Sequence, residues 1–131
     1  MIQESRIKEF TDLLAWQEAH KLVLLVYSAT RTFPKEELFG LTSQMRRAAV
    51  SITSNIAEGF GRQGYREKVQ FFYMAHGSLT ELKNQLFIAR DLKYISAGEF
   101  DKIIGQLSLT HRLLQGLLTK TKSFISYNPV S

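Results

Sequence analysis

Apolar positions in this chain recur at three- and four-residue steps in four separate stretches, the period of a helix that hides one face. From Asp12, an N-cap candidate, to about Arg31, the row Trp16, Ala19, His20, Val23, Val26, Tyr27 and Thr30 predicts a first helix. Phe33-Pro34 stops it because the residue before Pro disfavours the α region, and Lys35 to Gly40 predicts a short turn of helix closed by Gly. A second helix starting near Thr42 carries Met45, Ala48, Ala49, Ile52 and Ile56 on one stripe until Gly59, Gly61 and Gly64 interrupt it. The third runs from Tyr65 to Leu92 on Phe72, Ala75, Leu79, Leu82, Leu86 and Ala89. The fourth opens on Ser96-Ala97-Gly98-Glu99, the spacing of a capping box, and continues through Phe100, Ile103, Leu107, Leu114, Leu117 and Leu118 to Phe124. Residues 125–131 read as a frayed tail. Two long α-hairpins joined in the middle are compatible with an all-α fold, an antiparallel up-down-up-down four-helix bundle with its core over about 12–124.

A helix in a small bundle needs one apolar stripe of ~100° or a little more. This chain offers more than that. Leu22, Leu25 and Ala29 make a second row on the first helix, and Leu109, Leu113 and Gly116 make one on the fourth. Phe71, Phe72 and Tyr73 cannot all point inward, since successive residues stand ~100° apart. Scattered surface hydrophobes are ordinary, but contiguous rows predict a homo-oligomer that buries them.

Composition narrows the function classes. The 131 residues fit one domain, 1–131, and leave no room for a catalytic domain beside a binding domain. With 44% hydrophobic and 22% charged residues, the chain is ordinary for a globular protein. The absence of Cys excludes a disulfide framework, a thiolate metal site and a cysteine nucleophile, and fits a reducing cytosol. Residues 1–10 mix charges of both signs and lack the apolar region of a secretory signal. The longest apolar run, residues 22–27, is far short of the ~20 needed to span a bilayer, so a cytoplasmic location is expected.

The net charge of +5 permits polyanionic partners. Arg46, Arg47, Arg62, Arg66 and Lys68 fall between the start of the second helix and the start of the third, against only Glu58 and Glu67. They are the best candidates for contacting the phosphates of RNA or DNA, with Gln63 and Tyr65 available for hydrogen bonding or stacking; the bland alternative is a solvated helix end.

Other polar residues point to architecture. Ser51, Asn55 and Glu58 share a face of the second helix at spacings of four and three, and are expected to bond between packed helices or to a nearby Arg. Glu81 is expected to pair with Arg46 or Arg47. His20, His76 and His111 lack the Glu-x-x-His spacing of di-iron bundles, so no metal is predicted. Gly59-Phe60-Gly61-Arg62-Gln63-Gly64 matches G-x-G-x-x-G, yet it follows a helix where the dinucleotide fingerprint must follow a strand. No phosphate-binding lysine loop, clustered carboxylates or evident Ser-His arrangement is present, so neither a cofactor nor an enzyme is expected.

Leu14-Ala15-Trp16-Gln17-Glu18-Ala19, the Phe33-Pro34 stop, residues 40–49 (GLTSQMRRAA), residues 51–59 (SITSNIAEG) and residues 77–82 (GSLTEL) occur in that order. In this combination, over about residues 10–122, the chain resembles the four-helix-bundle proteins encoded in intervening sequences of bacterial 23S ribosomal RNA genes. The resemblance extends to the accessory variability protein of diversity-generating retroelements. It implies a bundle assembled as a homopentamer and suggests nucleic-acid binding through a basic patch repeated around the ring. An alternative is a protein-binding adaptor that docks a partner such as a polymerase or reverse transcriptase.

Overall fold

The computed structural model describes residues 7–127, with side chains described as far as Ile125. Its elements are α1 (Leu14–Thr30), α2 (Leu41–Gly61), α3 (Tyr65–Asp91) and α4 (Ala97–Tyr127), with 3-10 turns at Phe10–Asp12 and Lys35–Glu37. Among the described residues there is no strand. α1 packs on α2 and α4, and α3 packs on the same two, so the helices form a ring of neighbours around one core. The connections at 62–64 and 92–96 are too short for anything but a reversal, which makes the bundle antiparallel. No described helix is long and apolar enough to cross a membrane.

The core stripe of α2 is the predicted one, with Met45, Ala48, Ala49, Ile52 and Ile56 buried. Ala75, Leu79, Leu82, Leu86 and Ala89 of α3 and Ile103, Leu107, Leu114 and Leu118 of α4 close on it. Each buried Leu, Ile or Met side chain among them stabilises the fold by about 1.5–3 kcal/mol, and each Ala by less.

On α1 the face differs from expectation. Ala15, Ala19, Leu22, Val26 and Ala29 are buried, whereas His20 and Tyr27 are exposed and Trp16 and Val23 are half-buried. Two apolar rows compete on this helix, and the row that buries no ring nitrogen or phenol hydroxyl wins, because unpaired polar groups are costly inside. Leu22 and Ala29 therefore belong to the monomer core and are not a spare row. Leu25, Leu109 and Leu113 are half-buried, Gly116 is exposed, and Phe72 points inward while Tyr73 points out.

Several ends are fixed locally. Ser96 Oγ accepts the Glu99 amide at 3.1 Å while Glu99 Oε1 accepts the Ser96 amide at 3.1 Å, the reciprocal box expected at the start of α4. Asp12 does not cap α1. Its carboxylate accepts the Lys8 and Glu9 amides at 2.9 and 3.0 Å, closing the 3-10 turn, and these bonds hold its pKa below the usual value.

Lys93 has φ 64, the left-handed region, directly after α3, with the Lys93 and Tyr94 amides returning to the Arg90 and Ala89 carbonyls. α4 continues past Phe124 to Tyr127, and Phe124 stacks on Tyr65 with ring centres 5.0 Å apart, so the frayed tail does not begin at 125. Residues 1–6 and 128–131, which include much of the N-terminal stretch read for a signal and of the expected tail, lie outside the described residues.

Candidate functional site

The five candidate cations divide into two groups at opposite ends of α2. Arg46 and Arg47 lie near its start, and Arg62, Arg66 and Lys68 lie at its junction with α3. At 1.5 Å per residue, Arg46 and Arg62 are about 24 Å apart along the helix.

Lys68 is committed to the fold. Its Nζ donates to the Phe60 carbonyl at 2.6 Å and the Gly59 carbonyl at 3.4 Å, and lies 5.5 Å from the centre of the Phe60 ring. It thereby satisfies carbonyls of the last turn of α2, where a cation also suits the helix dipole. Burial holds its pKa below the ordinary lysine value. Arg62 pairs with Glu58 at 3.0 Å and lies 4.7 Å over the Phe71 ring. Arg66 is exposed on the first turn of α3.

Arg46 and Arg47 stand differently. Half-buried Arg46 donates from Nε to Thr30 Oγ1 at 2.9 Å and stacks 4.7 Å over the Tyr27 ring, which leaves its guanidinium fork held in place. Arg47 is exposed. Both line an open groove of about 500 Å³ with Tyr27, Ser43, Ser51 and Ser54, beside the apolar Leu38 and Val50. Among the described residues, no carboxylate lines this groove. A second open groove, towards the far end of α2, contains Arg62 but also Glu58. The first can thus offer two guanidinium groups and several hydroxyls to an anion, while the second is neutralised by its own acid.

Tyr27, Ser43 and Ser54 were not among the sequence candidates. Tyr27 was expected in the core; the helical spacing of Ser43, Arg47 and Ser54 at four and seven is the signal by which the row is legible. Thr42, buried at the edge of the groove, has a hydroxyl with no hydrogen-bond partner among the described residues.

In the polar trio on α2, Ser51 bonds across to α3 and Glu58 takes an Arg, as expected, whereas Asn55 bonds within its own helix. Ser51 Oγ lies 2.8 Å from Ser78 Oγ on α3, Asn55 Nδ2 donates to the Ser51 carbonyl at 2.9 Å, and Glu58 takes Arg62. The predicted pairing of Glu81 with Arg46 or Arg47 is absent among the described residues. With Ser51 opposite Ser78 in an antiparallel pair, Glu81 falls level with Ala48. It accepts from Gln85 at 3.3 Å, while Arg46 turns towards α1.

His20 stacks on Trp16, with ring centres 4.8 Å apart, and His76 meets His111 between α3 and α4. The described residues contain no group of three or more His, Cys, Asp or Glu suited to a metal. Gly59 and Gly61 belong to the last turn of α2 and Gly64 precedes α3, so the glycine-rich match is a helix junction.

Fold and groove define a four-helix-bundle protein with a cationic groove that no described carboxylate lines. The chain belongs to the 23S rRNA-intervening sequence protein family, whose model matches residues 11–116. It is similar in fold to a protein of unknown function from the S23 ribosomal protein family of Bacteroides thetaiotaomicron VPI-5482, solved at 1.70 Å. The TM-score is 0.74 at 17% identity, covering 81% of this chain and 96% of that one. The search of curated proteins returned no match.

Proposed function

We propose that the chain is a noncatalytic, self-associating bundle that binds RNA or DNA through the Arg46–Arg47 groove. The observation that carries this reading is a groove with two guanidinium groups, hydroxyls of Tyr27, Ser43, Ser51 and Ser54, and no carboxylate. Guanidinium groups pair with phosphate oxygens in a planar fork, and hydroxyls add contacts that position the backbone without reading sequence. Arg62 and Arg66 are outlying contacts at the far end of α2.

Self-association is supported by exposed apolar side chains outside the groove lining, among them Phe39, 91% exposed, and Tyr73 and Met74 of α3. The family resemblance makes a ring of five the assembly to test. A ring repeats the groove and sums its field, so binding strengthens beyond that of one copy. Exposed Leu38 and Phe39 also favour the second reading, an adaptor whose loop between α1 and α2 docks a partner protein.

Fluorescence anisotropy with structured RNA and with duplex DNA across a salt series tests the proposal. Binding at ~50 mM salt that weakens steeply as salt rises supports it, with a shallower slope, by about 1 per lost contact, in Arg47→Glu. No binding at ~50 mM salt sinks the nucleic-acid reading and leaves the adaptor. Light scattering coupled to size exclusion tests assembly, and a monomer at high concentration refutes it.

A further inference from the structure

His76 on α3 and His111 on α4 approach Nε2 to Nε2 at 2.9 Å, with ring centres 4.9 Å apart and planes inclined by 51°. The cleft around them, about 300 Å³, is also lined by Leu79, Thr80, Lys83, Leu107 and Ser108. His111 is exposed and His76 half-buried, so the pair is open to solvent. A neutral imidazole carries one ring N–H and one lone pair. Two such nitrogens this close need a proton shared between them, or a metal ion bound to both.

The separation is short enough for one ion to reach both rings. Two imidazoles bound cis on a square-planar or octahedral ion, at about 2.0–2.1 Å per bond, hold their nitrogens about 2.9 Å apart, whereas a tetrahedral ion holds them about 3.3 Å apart. The observed 2.9 Å is that of an N–H···N hydrogen bond in the ion-free pair, and both spans come within reach once a ring turns. Turning a ring about χ2 swings its lone pair into the open cleft without moving either helix.

We propose that His76 and His111 form a two-histidine clamp that binds a borderline first-row dication, Cu²⁺ or Ni²⁺ ahead of Zn²⁺, and bridges α3 to α4. The remaining coordination positions go to water. Imidazole suits these ions, while Mg²⁺ and Ca²⁺ favour oxygen donors, and no carboxylate among the described residues lines the cleft. Lys83 opposes any cation here, so the clamp is weaker than a closed four-ligand site. The clamp lies between α3 and α4, away from the α1–α2 groove, and is independent of nucleic-acid binding.

The test is titration of the untagged full chain with CuCl₂ and NiCl₂ alone, followed by calorimetry, thermal unfolding and, for Cu²⁺, electron paramagnetic resonance. The expected result is one ion per chain, a melting temperature that climbs with metal concentration, and a spectrum showing two equatorial nitrogens. His76→Gln or His111→Gln lowers affinity by roughly tenfold or more, while His20→Gln leaves it unchanged. Binding also weakens as the pH falls through the histidine range, because protons compete for the same lone pairs. Unchanged affinity in both clamp variants overturns the proposal. Should those variants fail to fold, the wild-type spectrum decides, and fewer than two coordinated nitrogens overturns it.

Discussion

The Tyr94 hydroxyl donates to Glu37 Oε2 at 2.9 Å, tying the α3–α4 turn to the 3-10 turn that leads into α2. Glu37 Oε1 accepts the Leu41 amide at 3.1 Å, so one carboxylate serves both the N-terminus of α2 and a residue 57 positions away. The Tyr94 ring also rests against Phe33, with centres 5.2 Å apart.

This contact makes alkaline stability depend on Tyr94. The hydrogen bond to Glu37 raises the phenol pKa above 10.0, with burial and the Glu37 and Glu36 charges adding to it. The native state then holds the proton more tightly than the unfolded state, so the contribution is complete below pH 10 and lost as the pH rises through the raised value. Urea midpoints should fall above pH 10 in the wild type and fall less in Tyr94→Phe. Phenolate absorbance titration should show the tyrosine raised above 10.0 missing from that variant. Equal alkaline losses in both proteins would discount the link.

Lys93 occupies a position that suits glycine. Its φ of 64 is costly for a residue with a Cβ, and the Lys93 and Tyr94 amides that close α3 need this backbone shape. Lys93→Gly should raise stability by about 1 kcal/mol in denaturant unfolding. Lys93→Ala keeps the steric penalty and should give no such gain.

The glycines of the helices separate into two kinds. A Cβ on Gly59 would stand 2.6 Å from Cε1 and 2.9 Å from Cδ1 of Phe72, a ring only 2% exposed and unable to withdraw. Gly59→Ala should therefore destabilise by about 1–3 kcal/mol despite alanine's better helix propensity. Gly77 and Gly105 have open space around the same position. Gly77→Ala and Gly105→Ala should stabilise by about 0.5–1 kcal/mol, and circular dichroism melts of the three variants would separate them.

Four helices and their order were legible because the apolar steps run long and the breaks at Phe33-Pro34 and Ser96 are strong. The face of α1 was not. Trp16, His20, Val23 and Tyr27 have the same period as Ala15, Ala19, Leu22 and Val26, and only the cost of burying polar atoms chooses between them. That ambiguity also hid the groove, since Tyr27 had to leave the core before it could meet Arg46. The division of the basic residues was hidden for another reason: neighbours in sequence were counted as one patch although a helix of 21 residues separates them. Gly59 and Gly61 read as breaks, yet both fall within the last turn of α2, where the absent Cβ of Gly59 makes room for the Phe72 ring. The meeting of His76 with His111 depends on the pairing of α3 with α4, which sequence spacing does not specify.

Lys68 and Arg47 look equivalent in a charge count and should behave oppositely. Lys68 donates to two carbonyls in the last turn of α2, so Lys68→Met removes the donor and should cost about 1 kcal/mol of stability. Its charge is turned into the fold, so affinity for an RNA or DNA probe and its salt slope should change little. Arg47 is exposed on a groove without a carboxylate, so Arg47→Glu should leave the urea midpoint nearly unchanged while weakening probe binding and flattening the salt dependence by about 1. Paired unfolding and anisotropy measurements on both variants read the two effects separately. A loss of probe binding in Lys68→Met without a loss of stability would return that lysine to the binding surface.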